Sequence, residues 1–383
     1  MKFKTTKKAL EAAIQIVTAA VDGSDDAKIN SHHLFRVGAL NQVEVLSANG
    51  SRLLAGAPIK GAVMEDAVEG DAFSVPAYRV RNLLPLLKDD DEISFDSSGG
   101  ITRIKTPRGL GKTGALDPKH FPFWDEQLTT AKSVGKVPVK RLAEMLSYIK
   151  PFISDQETRS PALVATECMN GVLYATDSVG VTLISSPMLK ASTLRIHGND
   201  IPSVLSFLAL KGADDVELLE HDRVLFFRRD GEGSLIGVAR WIHDFPVLKI
   251  SKDDADKCWF SVDTASLTDS IKYLGVWAEK DDPTLRFGFD GPKLVLSVKS
   301  GSGDAEEEQQ VIPFIEHDGM DALKADGYQG FALTKSYVET IAEQFGEKTL
   351  RFGVNWNKKN GYVTFRLKRG EDDYFSLVVW SKK

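Results

Sequence analysis

Residues 137–153 have the sequence VPVKRLAEMLSYIKPFI, a short extended stretch that leads directly into a helical pattern. Its apolar residues recur at the i, i+3, i+4, i+7 spacing that puts them on one face of a helix: Leu142, Met145, Leu146 and Ile149. Two other segments open in the same way, FKTTKKALEAAIQIVTAA from Phe3 and FSVDTASLTDSIKYLGVWA from Phe260. A Thr, Pro or Asp, residue types typical of helix starts, precedes each helical pattern. The sequence thus predicts three copies of one strand–helix unit.

A second helix is predicted midway through each copy, in VPAYRVRNLLPLL from Val75, GNDIPSVLSFLALKG from Gly198 and LTKSYVETIAEQFG from Leu333. Alternating β-type residues with hairpin turn signals follow each of these helices. The first two copies then end in a Phe-Pro element, at Phe121-Pro122 and Phe245-Pro246.

Two helices and several hairpins per copy predict an α+β fold, in which helices pack on antiparallel sheets. The 383 residues then divide into three tandem modules. The predicted domains are 1–132, 133–253 and 254–383, with boundaries in polar stretches.

The composition is that of a water-soluble globular protein, with 42% hydrophobic and 27% charged residues. The sequence lacks a run of about 18 apolar residues, which excludes a membrane-spanning helix. Charged residues in MKFKTTKKALEAAIQ interrupt the apolar core that a signal peptide needs, so we expect a cytoplasmic protein without a membrane partner. Two cysteines, Cys168 and Cys258, are too few for a disulfide framework or a clustered zinc site, and we expect neither metal nor cofactor.

Motifs of catalysis are missing from the sequence. TPRGLGKTG at 106–114 ends like a phosphate-binding loop, but Thr106 stands where that loop needs glycine, and a loop with two prolines follows instead of a helix. The seven histidines are scattered, and no G-x-S-x-G element occurs. We therefore predict that the chain is not an enzyme. A hydrolase whose carboxylates are assembled from distant positions remains an alternative.

The predicted helices are more positive than the rest of the chain. The six helices carry eleven cationic and seven acidic residues, a net charge of +4, whereas the whole chain carries −6. Eight of the eleven cations lie on the first three helices. This distribution suits helices that face an anion such as nucleic acid, although Lys and Arg also favour helices on any solvated face.

The threefold repeat, the paired helices and the Phe-Pro element resemble the bacterial replicative DNA sliding clamp, the β subunit of DNA polymerase III. The best local matches are GDAFSVPAYRVRNLLPLL, NGVLYATDSVGVTL and SYVETIAEQF, and Ala175-Thr176-Asp177 is the most specific. The resemblance covers essentially the whole chain. It implies a clamp module repeated three times to form half of a closed ring. Two copies, a homodimer, would enclose double-stranded DNA and tether the replicative DNA polymerase, as a processivity factor that an ATP-dependent clamp loader opens.

The resemblance also implies two sets of binding residues. The candidate phosphate contacts on the helices are Lys7, Arg79, Arg81, Lys140, Arg141, Lys150, Lys211, Lys272 and Lys335. A hydrophobic pocket for short partner peptides would include Thr176, Val179, Val181, Pro246, Ile250, Tyr337, Val363, Val378 and Trp380.

The sequence departs from the family at this pocket. Family members usually follow the Ala-Thr-Asp element with a His-Arg-Leu type of sequence, whereas Ser178-Val179-Gly180-Val181 follows here. They commonly end in a stretch like Met-Pro-Met-Arg, whereas this sequence ends with Trp380-Ser381-Lys382-Lys383. We therefore expect altered peptide specificity. The second alternative for the function is a structural or assembly protein that keeps the repeat without enclosing DNA.

Overall fold

The protein is described by a computed structural model for residues 1–21, 28–38, 41–50, 52–158, 160–229, 231, 233–246, 256–279, 284–299, 307–328, 330–356 and 361–382. The α-helices of this part of the chain are α1 Lys7–Val17, α2 Ala77–Leu83, α3 Asp125–Thr130, α4 Val139–Ile149, α5 Ile201–Leu208, α6 Thr264–Trp277, α7 Met320–Ala325 and α8 Lys335–Phe345. The strands are β1 Lys2–Thr6, β2 His32–Val37, β3 Val43–Asn49, β4 Leu53–Pro58, β5 Val63–Asp66, β6 Ala72–Pro76, β7 Glu92–Ser98, β8 Ile101–Thr106, β9 Gly109–Gly114, β10 Lys132–Pro138, β11 Glu167–Met169, β12 Val172–Thr176, β13 Gly180–Ser185, β14 Asp215–Glu220, β15 Val224–Arg229, β16 Leu235–Ala239, β17 Cys258–Asp263, β18 Thr284–Asp290, β19 Lys293–Lys299, β20 Glu307–Pro313, β21 Glu316–Asp318, β22 Gly330–Thr334, β23 Thr349–Trp356, β24 Gly361–Arg369 and β25 Asp372–Lys382.

All six predicted helices are present, as α1, α2, α4, α5, α6 and α8. The start signals act as side-chain caps at two of them. Thr6 accepts a hydrogen bond from the Ala9 amide at 3.2 Å, and Asp263 accepts one from the Ser266 amide at 2.8 Å, which satisfies amides that lack an intrahelical partner. The four apolar residues predicted on one face of α4 are fully buried. Helical spacing therefore located these elements correctly.

The predicted hairpins are also present. Gly99 and Gly100, with φ of 60° and 75°, form the tight turn between β7 and β8, where a two-residue hairpin needs left-handed backbone. β14 pairs with β15, and β23 pairs with β24. The segment that resembles a phosphate-binding loop is the β8–β9 hairpin. Every pairing among the described strands is antiparallel, as the α+β prediction requires.

The chain forms two compact units. Unit 1 comprises residues 1–143 and 195–241, and unit 2 comprises residues 144–194 and 242–383. Residues of the predicted middle domain thus contribute to both units. The predicted domain boundaries remain a prediction, and the one at 253/254 lies outside the described residues.

Unit 1 contains a five-stranded sheet in the order β5-β1-β7-β8-β9 and an eight-stranded sheet in the order β10-β14-β15-β16-β4-β3-β2-β6. Four buried phenylalanines lie between them. Phe3 stacks on Phe95 with ring centroids 4.9 Å apart, and Phe35 stacks on Phe73 at 5.3 Å. Burying four aromatic side chains together contributes strongly to folding.

Unit 2 contains a sheet in the order β20-β19-β18-β22-β25-β24-β23-β17-β21, and β11, β12 and β13 join it through β25. Its core has the same aromatic arrangement. Phe260 stacks on Phe352 at 4.8 Å, and Phe287 stacks on Phe331 at 4.9 Å. None of the helices in the described part of the chain has the length and apolarity needed to cross a membrane.

Candidate nucleic-acid interface and peptide pocket

The ammonium group of Lys7 is occupied within the protein. It lies 2.7 Å from the Glu11 carboxylate and 2.8 Å from the Asp89 carboxylate, and its side chain is largely buried. Both hydrogen bonds raise the pKa of Lys7, and the one to Asp89 has the larger effect. Lys7, which was predicted as a phosphate contact, therefore already has two acidic partners within the protein. The i, i+4 spacing to Glu11 was visible in the sequence, but Asp89 comes from a distant turn.

The other predicted cations of unit 1 reach solvent to different degrees. Arg79 and Arg81 on α2 are exposed, and the Arg79 guanidinium lies 5.4 Å from the Tyr78 ring centroid. Lys140, near the start of α4, is exposed, whereas Arg141 is half-buried. Lys211 is exposed just beyond α5.

Lys211 shares a groove with two lysines that were not among the predicted contacts. The groove, about 600 Å³ in volume, is lined by Lys8 and small residues of α1, by Lys60, and by the end of α5. Because three ammonium groups line one concave surface, this groove favours an anion. The sequence did not predict Lys60 as a phosphate contact, because Lys60 follows a strand and lies outside the helical pattern.

In unit 2, Lys150 and Lys272 are exposed. Lys335 is partly buried, 3.4 Å from the Glu339 carboxylate, and its ammonium group lies against Gly275 of α6. Lys335 on α8 is thus less available to an anion than Lys272 on α6.

The turn between β12 and β13 is held by a dense set of hydrogen bonds. The Asp177 carboxylate accepts from the amides of Val179 and Gly180 at 3.0 and 2.8 Å, and also from the Tyr337 hydroxyl. Thr176 donates to the Gly180 carbonyl at 2.7 Å. Burial and then the contact with Asp177 raise the pKa of Tyr337, so the phenol stays protonated. The turn presents Val179, which is 43% exposed.

The predicted pocket residues divide between the two faces of the sheet. Val363 and Val378 are fully buried, and Trp380 is 6% exposed, so these three lie in the core of unit 2. Tyr337 is also buried, and stacks on Phe152 at 5.1 Å. Because side chains alternate along a strand, the neighbours of Val378 point the other way.

The opposite face of the same strands carries accessible apolar side chains. Val379 is 44% exposed, and Leu377 and Val181, which are register partners, are half-buried. Phe245 lies 6.4 Å from Tyr174 by ring centroids, and Pro246 beside it is exposed. Ile250 lies outside the described residues. Leu377 and Val379 were not among the predicted pocket residues, because the sequence does not reveal which face of β25 is covered.

The described residues contain no cluster of three or more His, Cys, Asp or Glu side chains arranged to hold a metal ion. Burial raises the pKa of Asp200, but Arg52 forms an ion pair with it at 3.0 Å.

Comparison with solved structures places this fold among known proteins. The chain matches the DNA polymerase III β subunit of Pseudomonas aeruginosa with a TM-score of 0.79 at 16% identity, covering 100% of both chains. It matches the β subunit of Streptococcus pyogenes with a TM-score of 0.82 at 13% identity, again over 100% of both chains. The β subunit of Thermotoga maritima gives a TM-score of 0.78 at 15% identity, with 100% of this chain and 99% of that chain covered. No protein-family model and no curated protein sequence matches the chain. At this distance in sequence, the chain has the fold of the DNA polymerase III β subunit, the bacterial sliding clamp.

Proposed function

We propose that this chain is a processivity clamp, a non-enzymatic ring that encloses duplex DNA and tethers a replicative DNA polymerase. The observation that carries the proposal is the match to clamp structures over the full length of the chain, with TM-scores of 0.78 to 0.82. In this proposal each subunit has three modules, and two subunits form the ring. The protein works in the cytoplasm and depends on a separate ATP-driven clamp loader.

Enclosure explains why a chain with a net charge of −6 can serve DNA. A closed ring retains DNA by topology, so its lining needs only weak phosphate contacts, which carry no base information and allow sliding. Lys140, Lys150, Lys211 and the neighbouring Lys8 are exposed cations suited to that lining. Lys7, whose charge is already paired, is left out of this set.

The partner pocket belongs on the outer face of β13 and β25 in unit 2. Val179, Val181, Leu377 and Val379 form its apolar floor, and Phe245 lies at its side against Tyr174. The turn at 177–180 carries no basic side chain. Partner peptides should therefore be recognised through apolar side chains more than through acidic ones.

The test of the proposal is topological. The protein is loaded onto a nicked circular plasmid with a clamp loader and ATP, and its retention is measured before and after a single linearising cut. We expect retention on the circle through a high-salt wash, because ion pairs with phosphate weaken with salt and a topological link does not. We expect rapid loss after the cut. Equal retention on both DNAs would overturn the proposal.

The second candidate is a structural or assembly protein that keeps the fold without enclosing DNA. The charge of α6 and α8 favours it, because Lys335 is paired with Glu339, and Asp269 and Glu343 are exposed. This candidate predicts no loading on circular DNA, whatever the oligomeric state. The same plasmid experiment separates the two.

A further inference from the structure

Each unit contains one place where two strands distant in the sequence pair, which we call its junction. In unit 1, β4 pairs with β16, with Leu53 opposite Val238. In unit 2, β13 pairs with β25, with Gly180 opposite Val378. All four strands end three-strand meanders, β2-β3-β4 and β14-β15-β16 in unit 1, and β11-β12-β13 and β23-β24-β25 in unit 2. The two junctions therefore have the same antiparallel topology.

The outer faces of the two junctions also correspond. In unit 2, the floor of the proposed pocket includes Val181 and Leu377, the register partners that follow the pair of Gly180 and Val378. The same step in unit 1 leads from Leu53 and Val238 to Leu54 and Gly237. The surface around Leu54 and Gly237 is therefore the counterpart, in unit 1, of the pocket floor in unit 2.

A Phe-Pro element lies beside each of these surfaces. Phe121 belongs to a buried apolar cluster that contains Leu46 of β3. Phe245 lies beside Tyr174 of β12, with ring centroids 6.4 Å apart. Because β3 and β12 are the middle strands of corresponding meanders, the two elements occupy the same position at their junctions. The chain after Phe121-Pro122 thus starts at the edge of the surface in unit 1.

Residues 123–128, which we call the strap, cover this surface in unit 1. The Trp124 ring lies edge-on to Phe226, with centroids 6.3 Å apart. It also occupies the space above Gly237, where an added Cβ would lie 2.9 Å from the indole. Leu128 packs against the same apolar cluster as Trp124. The strap therefore lies where the corresponding surface of unit 2 would hold a partner peptide.

The hydrogen bonds of the strap run within its own segment. The Leu128 amide donates to the Trp124 carbonyl at 2.9 Å, and the Phe123 amide donates to the Phe121 carbonyl at 2.9 Å. Among the described residues, its ion pair to the sheet joins Asp125 to Arg36 at 2.7 Å, and the Asp125 side chain is 55% exposed. An exposed ion pair contributes little to stability. The strap can therefore lift without breaking the strand pairing beneath it.

The strap does not fill the surface that it covers. A cavity of about 80 Å³ remains between the strap and the sheet. Its apolar lining comes from both sides: Leu46, Leu54, Gly56 and Leu235 of the sheet, and Trp124 and Leu128 of the strap. Packed protein interiors leave few voids of this size. An apolar peptide with a larger side chain at this position would therefore fit the surface better than the strap does.

We infer that the outer face of β4 and β16 is a second peptide-docking site, which the strap closes, and that it takes an apolar peptide with an aromatic residue and a leucine four positions later. Trp124 and Leu128 show this spacing in the strap itself. The identity of such a peptide as part of a replication partner rests on the proposed function. The site rests on the contacts within unit 1.

A labelled copy of the strap tests the site. The probe is a synthetic fluorescent peptide of residues 122–130, PFWDEQLTT. In the protein, Trp124→Ala with Leu128→Ala removes the two anchors and vacates the site. Fluorescence anisotropy should show at least about 10-fold tighter binding to this variant than to the wild type. The reason is that the tethered strap of the wild type competes at an effective concentration in the millimolar range.

Two controls accompany this comparison. Glu126→Ala with Thr129→Ala changes two exposed positions of α3 and should bind the probe as weakly as the wild type. A probe with Ala in place of its Trp and Leu should bind none of the proteins. Equal affinity of the original probe for the vacated variant and the wild type would overturn the inference.

Photocross-linking locates the bound probe. A benzophenone replaces Phe123 in the peptide, and the cross-linked residues of the vacated variant are identified by mass spectrometry. We expect cross-links to β4 or β16. Cross-links confined to β13 or β25 would assign the binding to the pocket of unit 2 and overturn the inference.

Hydrogen exchange of the wild type tests the strap without vacating the site. The Leu128 amide, bonded only to its own strap among the described residues, should exchange at least about 10-fold faster than the paired amides of β4 and β16. Asp125→Ala should speed this exchange about 2- to 5-fold, whereas Glu126→Ala, which lies in the same helical turn without the ion pair, should not. Exchange of Leu128 only on unfolding of the whole unit would overturn the inference.

These experiments are independent of the plasmid test. They use no DNA and no clamp loader, so a protein that fails to stay on circular DNA would refute the clamp and leave the docking site standing. A protein that passes the plasmid test but binds the probe equally with and without its own anchors would refute the docking site alone.

Discussion

Replacing Trp380 by Ala probes whether the end of β25 belongs to the core or to the peptide pocket. The indole lies edge-on to Tyr328 with ring centroids 5.3 Å apart, and 5.7 Å from the Phe331 ring. Its Nε1 donates a hydrogen bond to the Asn355 carbonyl at 3.3 Å. The ring also lies directly against Gly361, where an added Cβ would overlap it. Trp380→Ala therefore removes the centre of an aromatic cluster.

The expected loss of stability follows from this packing. Truncating a buried Trp to Ala costs about 3–5 kcal/mol, the sum of the transfer free energy of the removed atoms and the cavity left behind. Each aromatic pair that is removed accounts for about 0.5–1.5 kcal/mol beyond area burial. Val379→Ala, one position along the same strand and 44% exposed, should change stability by less than about 0.5 kcal/mol.

Urea denaturation followed by near-UV circular dichroism measures the effect. We expect a large fall in the unfolding midpoint for Trp380→Ala and almost none for Val379→Ala. Binding of a partner peptide should show the reverse order, with Val379→Ala weaker and Trp380→Phe close to wild type. An unchanged midpoint for Trp380→Ala together with a loss of peptide binding would show that the indole lies in the pocket, and would refute the assignment of strand faces.

Three further predictions concern other parts of the molecule. Gly180→Leu should lower the free energy of unfolding of unit 2, measured by urea denaturation, by about 1–3 kcal/mol, because a Cβ there would lie 2.9 Å from Phe152 and 3.2 Å from Tyr337. The control is Gly288→Ala, whose Cβ would meet nothing closer than 3.6 Å. Burial lowers the pKa of His33 to about 3, so between pH 6.5 and pH 3 the unfolded chain binds a proton at His33 that the native state does not bind. The free energy of unfolding should therefore fall by about 1.4 kcal/mol for each pH unit over this range. A His33→Asn variant with an unchanged pH slope would contradict this. Lys7→Ala should lower the melting temperature without changing the salt dependence of DNA binding. Lys140→Glu with Lys211→Glu should leave the melting temperature unchanged. It should reduce the slope of log binding constant against log salt concentration by about 0.9 for each phosphate that the variant no longer neutralises.

Local patterns in the sequence predicted the elements well. The α4 pattern was sufficient because Leu142 and Ile149 share a face in any α-helix of that span, whatever packs against it. The Gly99-Gly100 turn was equally local, since only left-handed backbone closes a two-residue hairpin. Such features depend on a few neighbouring residues and need no knowledge of the tertiary fold.

The candidate site was predicted less completely because its chemistry depends on distant partners. Lys7 was predicted as a phosphate contact, and the sequence does not show that Asp89, from the turn before β7, lies beside it. Val378 and Trp380 were predicted in the pocket from the resemblance alone, and an apolar strand such as β25 does not show in its sequence which face is covered. The pairing of β13 with β25 determines which face of β25 is covered, and it joins residues almost two hundred positions apart.

The glycine at position 180 links the altered pocket to the packing of unit 2. The His-Arg-Leu type of sequence usual in clamps would place leucine at this position, but here the Phe152 and Tyr337 rings occupy the space that a side chain at 180 would need. The same Tyr337 hydroxyl donates to Asp177 and so fixes the turn that exposes Val179. A leucine could not be introduced at 180 without moving the aromatic stack, whereas Val179, where the family pattern has arginine, is exposed. The turn that exposes Val179 and the contact between residues 150–152 and α8 are thus coupled through Gly180 and Tyr337, and a larger side chain at 180 requires repacking of that contact.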